Sequence, residues 1–289
     1  MERALPSSAP RLGAAVPPPA PAEFAMSDEE FRRIADKVLR TAGIVLRDHK
    51  RQMVYTRLAR RLRALGLTSF AAYMDLLDGP GAAAELEEFA NAVTTNLTAF
   101  FRESHHFDHL RAQVLEPALR AGRRRLRIWS AGCSTGEEPY SIALTAQACG
   151  ALGGDLRILA TDLDTQVLAR AKAGVYRADR IGDIPAELRA AGLRRTGPDA
   201  WEVAPALKAA IAFRRLNLLQ DWPFRGPFDA IFCRNVVIYF DAETKAALVR
   251  RFAELLTEDG VLYLGHSESL LGEHPLLVSQ GRTIYGRRR

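Results

Sequence analysis

The sequence predicts an α/β protein in which an all-α N-terminal helical domain precedes a doubly wound domain with a small inserted β-subdomain. Three observations support this prediction. Helical patterns with short connections occupy the first part of the chain, and no strand pattern separates them. From about residue 126, short apolar strands alternate with helices, as in a mostly parallel sheet buried on both faces. Between about 175 and 213, turn residues and short segments replace that alternation.

The N-terminal region divides into a tail and a helical domain. Residues 1–25 are dominated by Pro and Ala, so we predict a disordered tail that cannot contribute to a core. The helical domain, 26–95, begins with a capping box formed by Ser27 and Glu30. Apolar residues at helical spacing predict a helix after this box and further helices at 50–65, 69–77 and 82–93.

The remainder of the chain, 96–289, is predicted to be the doubly wound domain. Its strands are predicted at 125–130, 157–162, 228–234 and 261–265, and its helices at 139–149, 164–173 and 242–256. Residues 283–286 predict a last strand, for which an antiparallel edge is one option. The segment at about 175–213 is predicted to be the small β-subdomain.

Composition and charge limit the class of protein without choosing it. The chain has 289 residues and a net charge of +6, which permits nucleic acid, anionic lipid or an acidic protein as partner. No apolar run approaches the roughly 18 residues of a membrane-spanning helix, and the start lacks the pattern of a signal peptide. The three cysteines, Cys133, Cys149 and Cys233, have no metal-binding spacing. We therefore expect a cytoplasmic protein with reduced thiols.

The most informative stretch, 128–141, runs from the first predicted strand into the following helix. Its loop consists of small residues, which let a backbone approach a nucleotide-like ligand at a strand-to-helix turn. Glu137 and Glu138 stand at the helix start, where a phosphate-binding loop would be free of negative charge. Two carboxylates there would repel a pyrophosphate and would suit a cationic ligand or one with amino and hydroxyl donors. S-adenosylmethionine (SAM) has a sulfonium, an amino group and ribose hydroxyls.

A second acidic position closes the next predicted strand. A carboxylate such as Asp162, at the end of the second strand of a doubly wound fold, can accept hydrogen bonds from both ribose hydroxyls. A simple turn residue is the alternative interpretation of Asp162. Asp164 is a competing candidate, but we predict that it caps the following helix.

Polar residues also cluster in the stretch 94–103, which joins the two domains. Asn96 and Thr98 supply short hydrogen-bonding groups, and Arg102 supplies a forked cation that suits a carboxylate. A helix-capping segment over two core phenylalanines is an equally weighted alternative.

The end of the third predicted strand is another place where a ligand would bind, because open α/β sheets bind ligands beyond the carboxyl ends of their strands. Arg234, Asn235 and Tyr239 are therefore predicted to face a ligand. The apolar residues of this stretch are predicted to be core: Val236, Val237, Ile238 and Phe240. Asn217, which follows the insertion, is a weaker candidate for an adenine edge.

Histidine and cysteine residues suggest two further sites, which we interpret otherwise. His105, His106 and His109 are close in sequence, but no further ligand with suitable spacing accompanies them, so no metal is predicted. Cys133 lies in the small-residue loop and is interpreted as a small residue in a crowded turn rather than a nucleophile.

A run of cations lies on and beside the second predicted helix. Two interpretations stay open for it: a solvated face, or an electrostatic docking face for an acidic partner. The candidate docking residues are Lys50, Arg51, Arg57, Arg60, Arg61 and Arg63.

Three long stretches, 95–103, 129–141 and 232–240, together closely resemble chemotaxis receptor methyltransferases of the CheR type, and 160–164 fits as well. The resemblance covers about residue 27 to the end of the chain. It implies a Rossmann-like, SAM-dependent methyltransferase domain that methylates glutamate side chains of bacterial chemoreceptors and releases S-adenosylhomocysteine.

The resemblance also implies roles for individual residues. Asn96, Thr98 and Arg102 would bind the cofactor from the linker, and Glu137 would meet its amino-acid part. Asp162 would bind the ribose, Asn217 and Leu218 would lie at the adenine, and Arg234 and Asn235 would line the same cleft. Arg102 and Tyr239 would be nearest the methyl group and are our catalytic candidates.

For partners, the resemblance implies the acidic helical bundle of a chemoreceptor, contacted by the basic run. We expect a monomer without a metal, without nucleic acid and without insertion into a membrane. The turn at 195–201 is short beside members that hold a receptor tether peptide, so tether binding is not expected. A nucleic-acid methyltransferase, a dinucleotide-dependent oxidoreductase and a non-catalytic cofactor-binding module are the alternatives.

Overall fold

The computed structural model describes residues 23–270 and 272–288. Most of the predicted tail, 1–22, lies outside the described residues. Residues 23–25 already contact the helical domain, since the Phe24 ring packs edge-on against Phe70 at 6.2 Å between centroids. The Phe24 N–H also donates to the Tyr55 hydroxyl at 3.2 Å. The described chain thus joins the helical domain a few residues before its predicted start at residue 26.

The N-terminal domain contains the four predicted helices. They are α1 (Asp28–Ala42), α2 (Arg51–Leu65), α3 (Phe70–Asp78) and α4 (Ala83–Val93), with a 3-10 turn at Asp48–Lys50 before α2. Both hydrogen bonds of the capping box between Ser27 and Glu30 are present. The helices enclose a core of their own around Ile34, Leu58 and Phe89.

A helical segment that we did not predict joins the two domains. It consists of α5 (His105–His109), a π-helical stretch (Leu110–Leu115) and α6 (Glu116–Arg120). Its apolar side chains, among them Phe107 and Leu115, are buried in the core beside the central sheet.

The second domain contains ten strands and five further helices within the described residues. The strands are β1 (Arg125–Ala131), β2 (Asp155–Asp162), β3 (Val175–Arg177), β4 (Leu193–Arg195), β5 (Ala200–Val203), β6 (Ile211–Arg215), β7 (Phe228–Cys233), β8 (Leu256–Leu264), β9 (Leu277–Gly281) and β10 (Ile284–Arg287). The helices are α7 (Glu137–Ala148), α8 (Thr165–Ala173), α9 (Ala186–Gly192), α10 (Pro205–Ala209) and α11 (Ala242–Glu254).

Seven strands form the central sheet, in the order β6-β2-β1-β7-β8-β10-β9. The first five are parallel, which confirms the predicted doubly wound class. β10 is antiparallel to β8, but β9 covers its other side, so the option of an edge position for 283–286 is wrong. β9 escaped prediction because only its first residue is buried, which leaves no apolar alternation to detect.

The inserted subdomain is a three-stranded antiparallel sheet in the order β3-β5-β4. It ends before the predicted boundary at 213, because β6 belongs to the central sheet and pairs with β2. Strands β2 and β7 lie on opposite sides of β1, and the chain therefore leaves the carboxyl ends of these strands around a crevice. The helical domain stands beside that crevice.

Candidate functional site

A cleft of about 960 Å³, counted with its open side, lies at the carboxyl ends of β1, β2 and β7. The linker between the domains and the ends of α1 and β6 complete its wall. Nine predicted site residues line it: Asn96, Thr98, Arg102, Asp162, Asn217, Leu218, Arg234, Asn235 and Tyr239. Glu137 is the predicted site residue that the lining does not include, and Glu138 lines the cleft instead.

The loop after β1 comes close to the neighbouring wall because it contains Gly132. This residue has a φ of 93°, and a Cβ there would approach the Val236 side chain to 2.4 Å. Further along the loop, the Ser134 N–H donates to Asp162 at 2.8 Å, and the Ser134 hydroxyl donates to the Asn96 carbonyl at 3.0 Å. The loop is thereby joined both to the end of β2 and to the linker.

Asp162 presents a nearly buried carboxylate to the cleft. Its two oxygens accept backbone N–H groups of Ser134 at 2.8 Å and of Asp164 at 3.0 Å. Burial raises the pKa of Asp162 to about 6, and these backbone hydrogen bonds oppose the rise. A ligand with two hydroxyl donors would favour the ionised form. Asp162 thus shapes the turn, as the plainer interpretation holds, and still has acceptor capacity toward the cleft.

Asp164 caps α8 as predicted, since one oxygen accepts the N–H groups of Gln166 and Val167. Its other oxygen accepts the Thr94 hydroxyl at 2.9 Å and the Asn96 side-chain amide at 2.7 Å. This buried carboxylate therefore fastens the linker to the doubly wound domain.

Glu137 is buried and is not among the residues that line the cleft. Its carboxylate accepts Arg180 of the small subdomain at 2.5 Å and the Thr135 hydroxyl at 2.6 Å. Arg180 also donates to the carbonyl of Thr98 at 2.8 Å. In this arrangement Glu137 ties the small subdomain to the cleft wall. The predicted contact of Glu137 with the amino-acid part of a cofactor stays a prediction.

Glu138 and Arg234 form a buried ion pair in the cleft, with 3.3 Å between nitrogen and oxygen, and Arg234 also lies 3.6 Å from the Glu103 carboxylate. Ser130 donates to Glu138 at 2.7 Å, and Arg234 donates to the Arg102 carbonyl. Burial raises the pKa of Glu138, and the charge of Arg234 opposes the rise. The Nε of Arg234 is buried without a hydrogen-bond partner among the described residues. An adjacent carboxylate and guanidinium suit a ligand that carries an ammonium and a carboxylate group.

Arg102 and Tyr239 border the more solvent-exposed part of the cleft, which we call the mouth. Arg102 donates to the Leu97 carbonyl at 3.1 Å, and Leu97 lines the cleft and is 77% exposed. Ile238, which directly precedes Tyr239, is 50% exposed, so the prediction that it belongs to the core is wrong. Burial raises the pKa of Tyr239, although the positive charge of Arg102 opposes the rise. The mouth therefore combines a cation with a neutral phenol.

Two predicted ligand residues use their side chains within the protein. The Asn217 amide donates to the Thr41 carbonyl at 2.9 Å and accepts the Leu219 N–H at 3.0 Å. The Asn96 amide donates to Asp164, as described above. Both residues line the cleft and set its shape, and each of these amides is held in place by its protein partners.

Glu268 shapes the wall behind the mouth and was missed by the sequence analysis. Its fully buried carboxylate accepts backbone N–H groups of Asn235 at 2.7 Å, Gly265 at 2.6 Å and Ile238 at 3.1 Å. Asn235 has a φ of 59°, a left-handed conformation that this carboxylate helps to hold. The available signal was a lone glutamate just beyond the predicted strand at 261–265.

The basic run divides into two groups. Four of its cations have partners within the helical domain. Arg51 pairs with Asp28, and Arg63 pairs with Glu23. Arg61 forms a bidentate pair with Glu85, and Arg57 donates to the Ala92 and Thr94 carbonyls. These contacts give the four arginines a structural role, and their part in docking stays a prediction. Lys50 and Arg60 take part in no ion pair among the described residues.

The histidines and cysteines have structural partners. His105 and His106 contact the Arg282 carbonyl at 3.3 and 3.0 Å, and His109 contacts the Tyr263 hydroxyl at 2.9 Å. Burial raises the pKa of the Cys133 thiol, so it stays protonated in its crowded loop. Across residues 23–270 and 272–288, no group of three or more potential ligands could hold a metal ion, and no helix is long and apolar enough to cross a membrane.

The donor set of the cleft fits SAM. Glu138 and Asp162 bring negative charge to the lining, which disfavours the pyrophosphate of a dinucleotide and favours a sulfonium and an ammonium group. Asp162 has the chemistry to accept ribose hydroxyls, and Leu216, Leu218 and Phe240 offer apolar surface for a base.

Comparison with known proteins agrees with this assignment. Residues 96–284 match the family model "CheR methyltransferase, SAM binding domain", and residues 29–94 match "CheR methyltransferase, all-alpha domain". The chain is 47% identical to the chemotaxis protein methyltransferase of Escherichia coli K12, over 91% of this chain and 92% of that protein. It is also 47% identical to chemotaxis protein methyltransferase 2 of Pseudomonas aeruginosa, over 91% and 94%. A SAM-dependent methyltransferase structure from Mesorhizobium loti shares 23% identity over 54% of each chain, with a TM-score of 0.27 that is too low to support an argument.

Proposed function

The chain belongs to the CheR methyltransferase family, and we propose that it transfers the methyl group of SAM to glutamate side chains of bacterial chemoreceptors. The products are glutamyl methyl esters and S-adenosylhomocysteine. One observation carries the proposal: half-buried Arg102 and Tyr239 border the same cleft as the buried Glu138–Arg234 pair and Asp162. A carboxylate acceptor would meet the positive charge of Arg102, and a sulfonium donor would meet the negative charge of Glu138 and Asp162.

Within this cleft, Asp162 would accept the ribose hydroxyls, while Asn217 and Leu218 would border the adenine. Glu138 and Arg234 are better placed than Glu137 to take the amino and carboxylate groups of the methionine portion, since both line the cleft. When bound, SAM supplies an electrophilic methyl group on a sulfonium.

The remaining chemistry is positioning. A glutamate carboxylate is ionised near neutral pH, so its attack needs no general base. Arg102 would orient that carboxylate through charge-assisted hydrogen bonds, and its own side chain is oriented by the Leu97 carbonyl. Tyr239, as a neutral phenol, would limit the path of the acceptor and exclude water from it.

The receptor would approach the mouth from the side of α2. Lys50 and Arg60 would contribute most to this approach, because the other four cations of the basic run also have partners within the helical domain. A cytoplasmic receptor bundle with acidic side chains is the partner that this charge suits.

Incubation of the protein with methyl-labelled SAM and chemoreceptor-containing membranes tests the proposal. We expect label that base treatment releases as volatile methanol, because methyl esters are base-labile. Arg102→Ala should abolish the release and keep the fold. Arg177→Ala is the matched control, since the exposed Arg177 pairs only with surface carboxylates of the small subdomain. Base-stable label, or label transferred to added RNA instead, would contradict the proposal.

A further inference from the structure

One wall of the cleft is a short segment that follows β6, residues 216–220, and we call it the base wall. Three of its residues, Leu216, Asn217 and Leu218, line the cleft. The Leu216 N–H donates to the Asp162 carbonyl at 2.9 Å and joins the start of the segment to the sheet. No helix or strand includes the base wall, so contacts from other elements must hold the rest of it in place.

Arg251 of α11 reaches the base wall from behind. Its guanidinium donates to the Leu218 carbonyl at 2.9 Å and to the Gln220 carbonyl at 2.8 Å. The Trp222 indole N–H donates to the same Leu218 carbonyl at 3.2 Å, and the guanidinium carbon lies 3.8 Å from the centroid of the Trp222 ring. Arg251 is not among the residues that line the cleft, so it acts on the cleft only through the base wall.

The geometry of these contacts is specific to arginine. A guanidinium is a planar fork of donors, which can bind two carbonyl oxygens and stack on an aromatic ring at the same time. The ammonium of a lysine is a compact charge without that fork. The helix that carries the fork is well anchored, since Val249 and Phe252 beside Arg251 are fully buried.

The position of the base wall affects how tightly a ligand binds beside it. When a segment occupies its binding position for only part of the time, the apparent affinity of the ligand falls by that fraction. Methyl transfer from a bound cofactor depends on other contacts, because the Leu97 carbonyl of the linker orients Arg102. The contacts of Arg251 therefore influence binding of the cofactor rather than the transfer step.

We propose that Arg251 is a positioning residue for the cofactor, which holds the base wall in the conformation that receives the adenine. The proposal rests on the proposed function, since it requires the base to lie at Leu218. Trp222 supports the same Leu218 carbonyl through one neutral hydrogen bond, so its contribution is smaller than that of the charged fork.

Calorimetric titration with S-adenosylhomocysteine and steady-state kinetics test this proposal in Arg251→Lys and Arg251→Gln. Both variants should weaken S-adenosylhomocysteine binding and raise the KM for SAM by about tenfold, as for a wall that is in place about a tenth of the time. Their kcat at saturating SAM and their KM for receptor should stay unchanged. Arg250→Gln is the matched control, because Arg250 is the exposed neighbour on the same helix, and it should change none of these quantities.

Trp222→Phe provides a second variant, which keeps an aromatic ring under Arg251 and removes the indole N–H. It should weaken S-adenosylhomocysteine binding in the same direction, but less than the Arg251 variants. Unchanged affinity in Arg251→Lys would overturn the proposal, and so would unchanged affinity in Trp222→Phe. A fall in kcat with an unchanged KM for SAM would overturn it as well. Failure of the unaltered protein to bind S-adenosylhomocysteine would instead refute the proposed function.

Discussion

Removal of the Glu268 carboxylate is the most informative single perturbation of the cleft wall. In the Glu268→Ala variant, the N–H groups of Asn235, Gly265 and Ile238 would lose their acceptor, which is the fully buried carboxylate of Glu268. An unsatisfied buried donor costs about 1–3 kcal/mol, so three of them cost roughly 3–9 kcal/mol. Because whole domains are stable by only about 5–15 kcal/mol, the variant should be strongly destabilised or unfolded.

Glu268→Gln provides the graded version of the same test. One carboxylate oxygen accepts two of the three N–H groups, and the other accepts Ile238 alone. If the glutamine oxygen takes the place of the oxygen that accepts Asn235 and Gly265, it keeps two hydrogen bonds. The NH₂ group then faces the Ile238 N–H, and two donors cannot form a hydrogen bond. We therefore expect a loss of about 1–3 kcal/mol in the free energy of unfolding. Weaker binding of S-adenosylhomocysteine should accompany it, because Asn235 and Tyr239 shift.

Urea unfolding and calorimetric titration with S-adenosylhomocysteine measure the two effects. The control is Glu273→Gln, an exposed glutamate of the same loop that should change neither quantity. The reasoning is refuted if Glu268→Ala unfolds at the urea concentration of the unaltered protein. It is also refuted if the Gln variant is no more stable than the Ala variant, since hydrogen-bond acceptance would then not be the cause.

The remaining predictions concern pH, the small subdomain and docking. Because burial raises the pKa of Asp162 from 3.8 to about 6, S-adenosylhomocysteine binding should weaken in calorimetric titrations as pH falls through 6. The free energy of unfolding should increase as pH falls from above 6 toward 4, because the folded state then favours the neutral form of Asp162. Asp162→Asn should flatten both pH dependences. Arg180→Gln leaves a buried carboxylate without its cation and should reduce stability by roughly 1–3 kcal/mol in urea unfolding, whereas Arg177→Gln should have little effect. Exchange of both Lys50 and Arg60 for Glu should raise the receptor KM most strongly at low salt and leave the affinity for S-adenosylhomocysteine unchanged. A rise in KM that does not depend on salt would argue against electrostatic docking.

The sequence predicted the elements that have a strong apolar period or a clear cap. The capping box at Ser27, the cap at Asp164 and the parallel strands were visible because each depends on a few neighbouring residues. β9 was missed because it is exposed along most of its length. The helical segment after the linker was missed as well, although its apolar residues are buried against the sheet core.

The site was predictable in its composition but not in its internal contacts. Nine of the predicted residues line one cleft, since strand ends and the linker converge on it. Sequence alone could not show that Glu137 pairs with Arg180, which lies 43 positions further along the chain, whereas Glu138 lines the cleft. Partners distant in sequence likewise determine the contacts of the basic run, since Arg61 pairs with Glu85 of α4 and Arg51 with Asp28 of α1.

The central claim is that glutamate carboxylates of a chemoreceptor accept the methyl group. Peptide mass spectrometry of receptors after incubation with the protein and SAM tests it most directly. We predict added methyl groups on glutamate side chains, lost on mild base treatment and absent when Arg102→Ala replaces the unaltered enzyme. Methylation of lysine, arginine or the peptide termini, or unmodified receptor alongside methylated nucleic acid, would contradict the account.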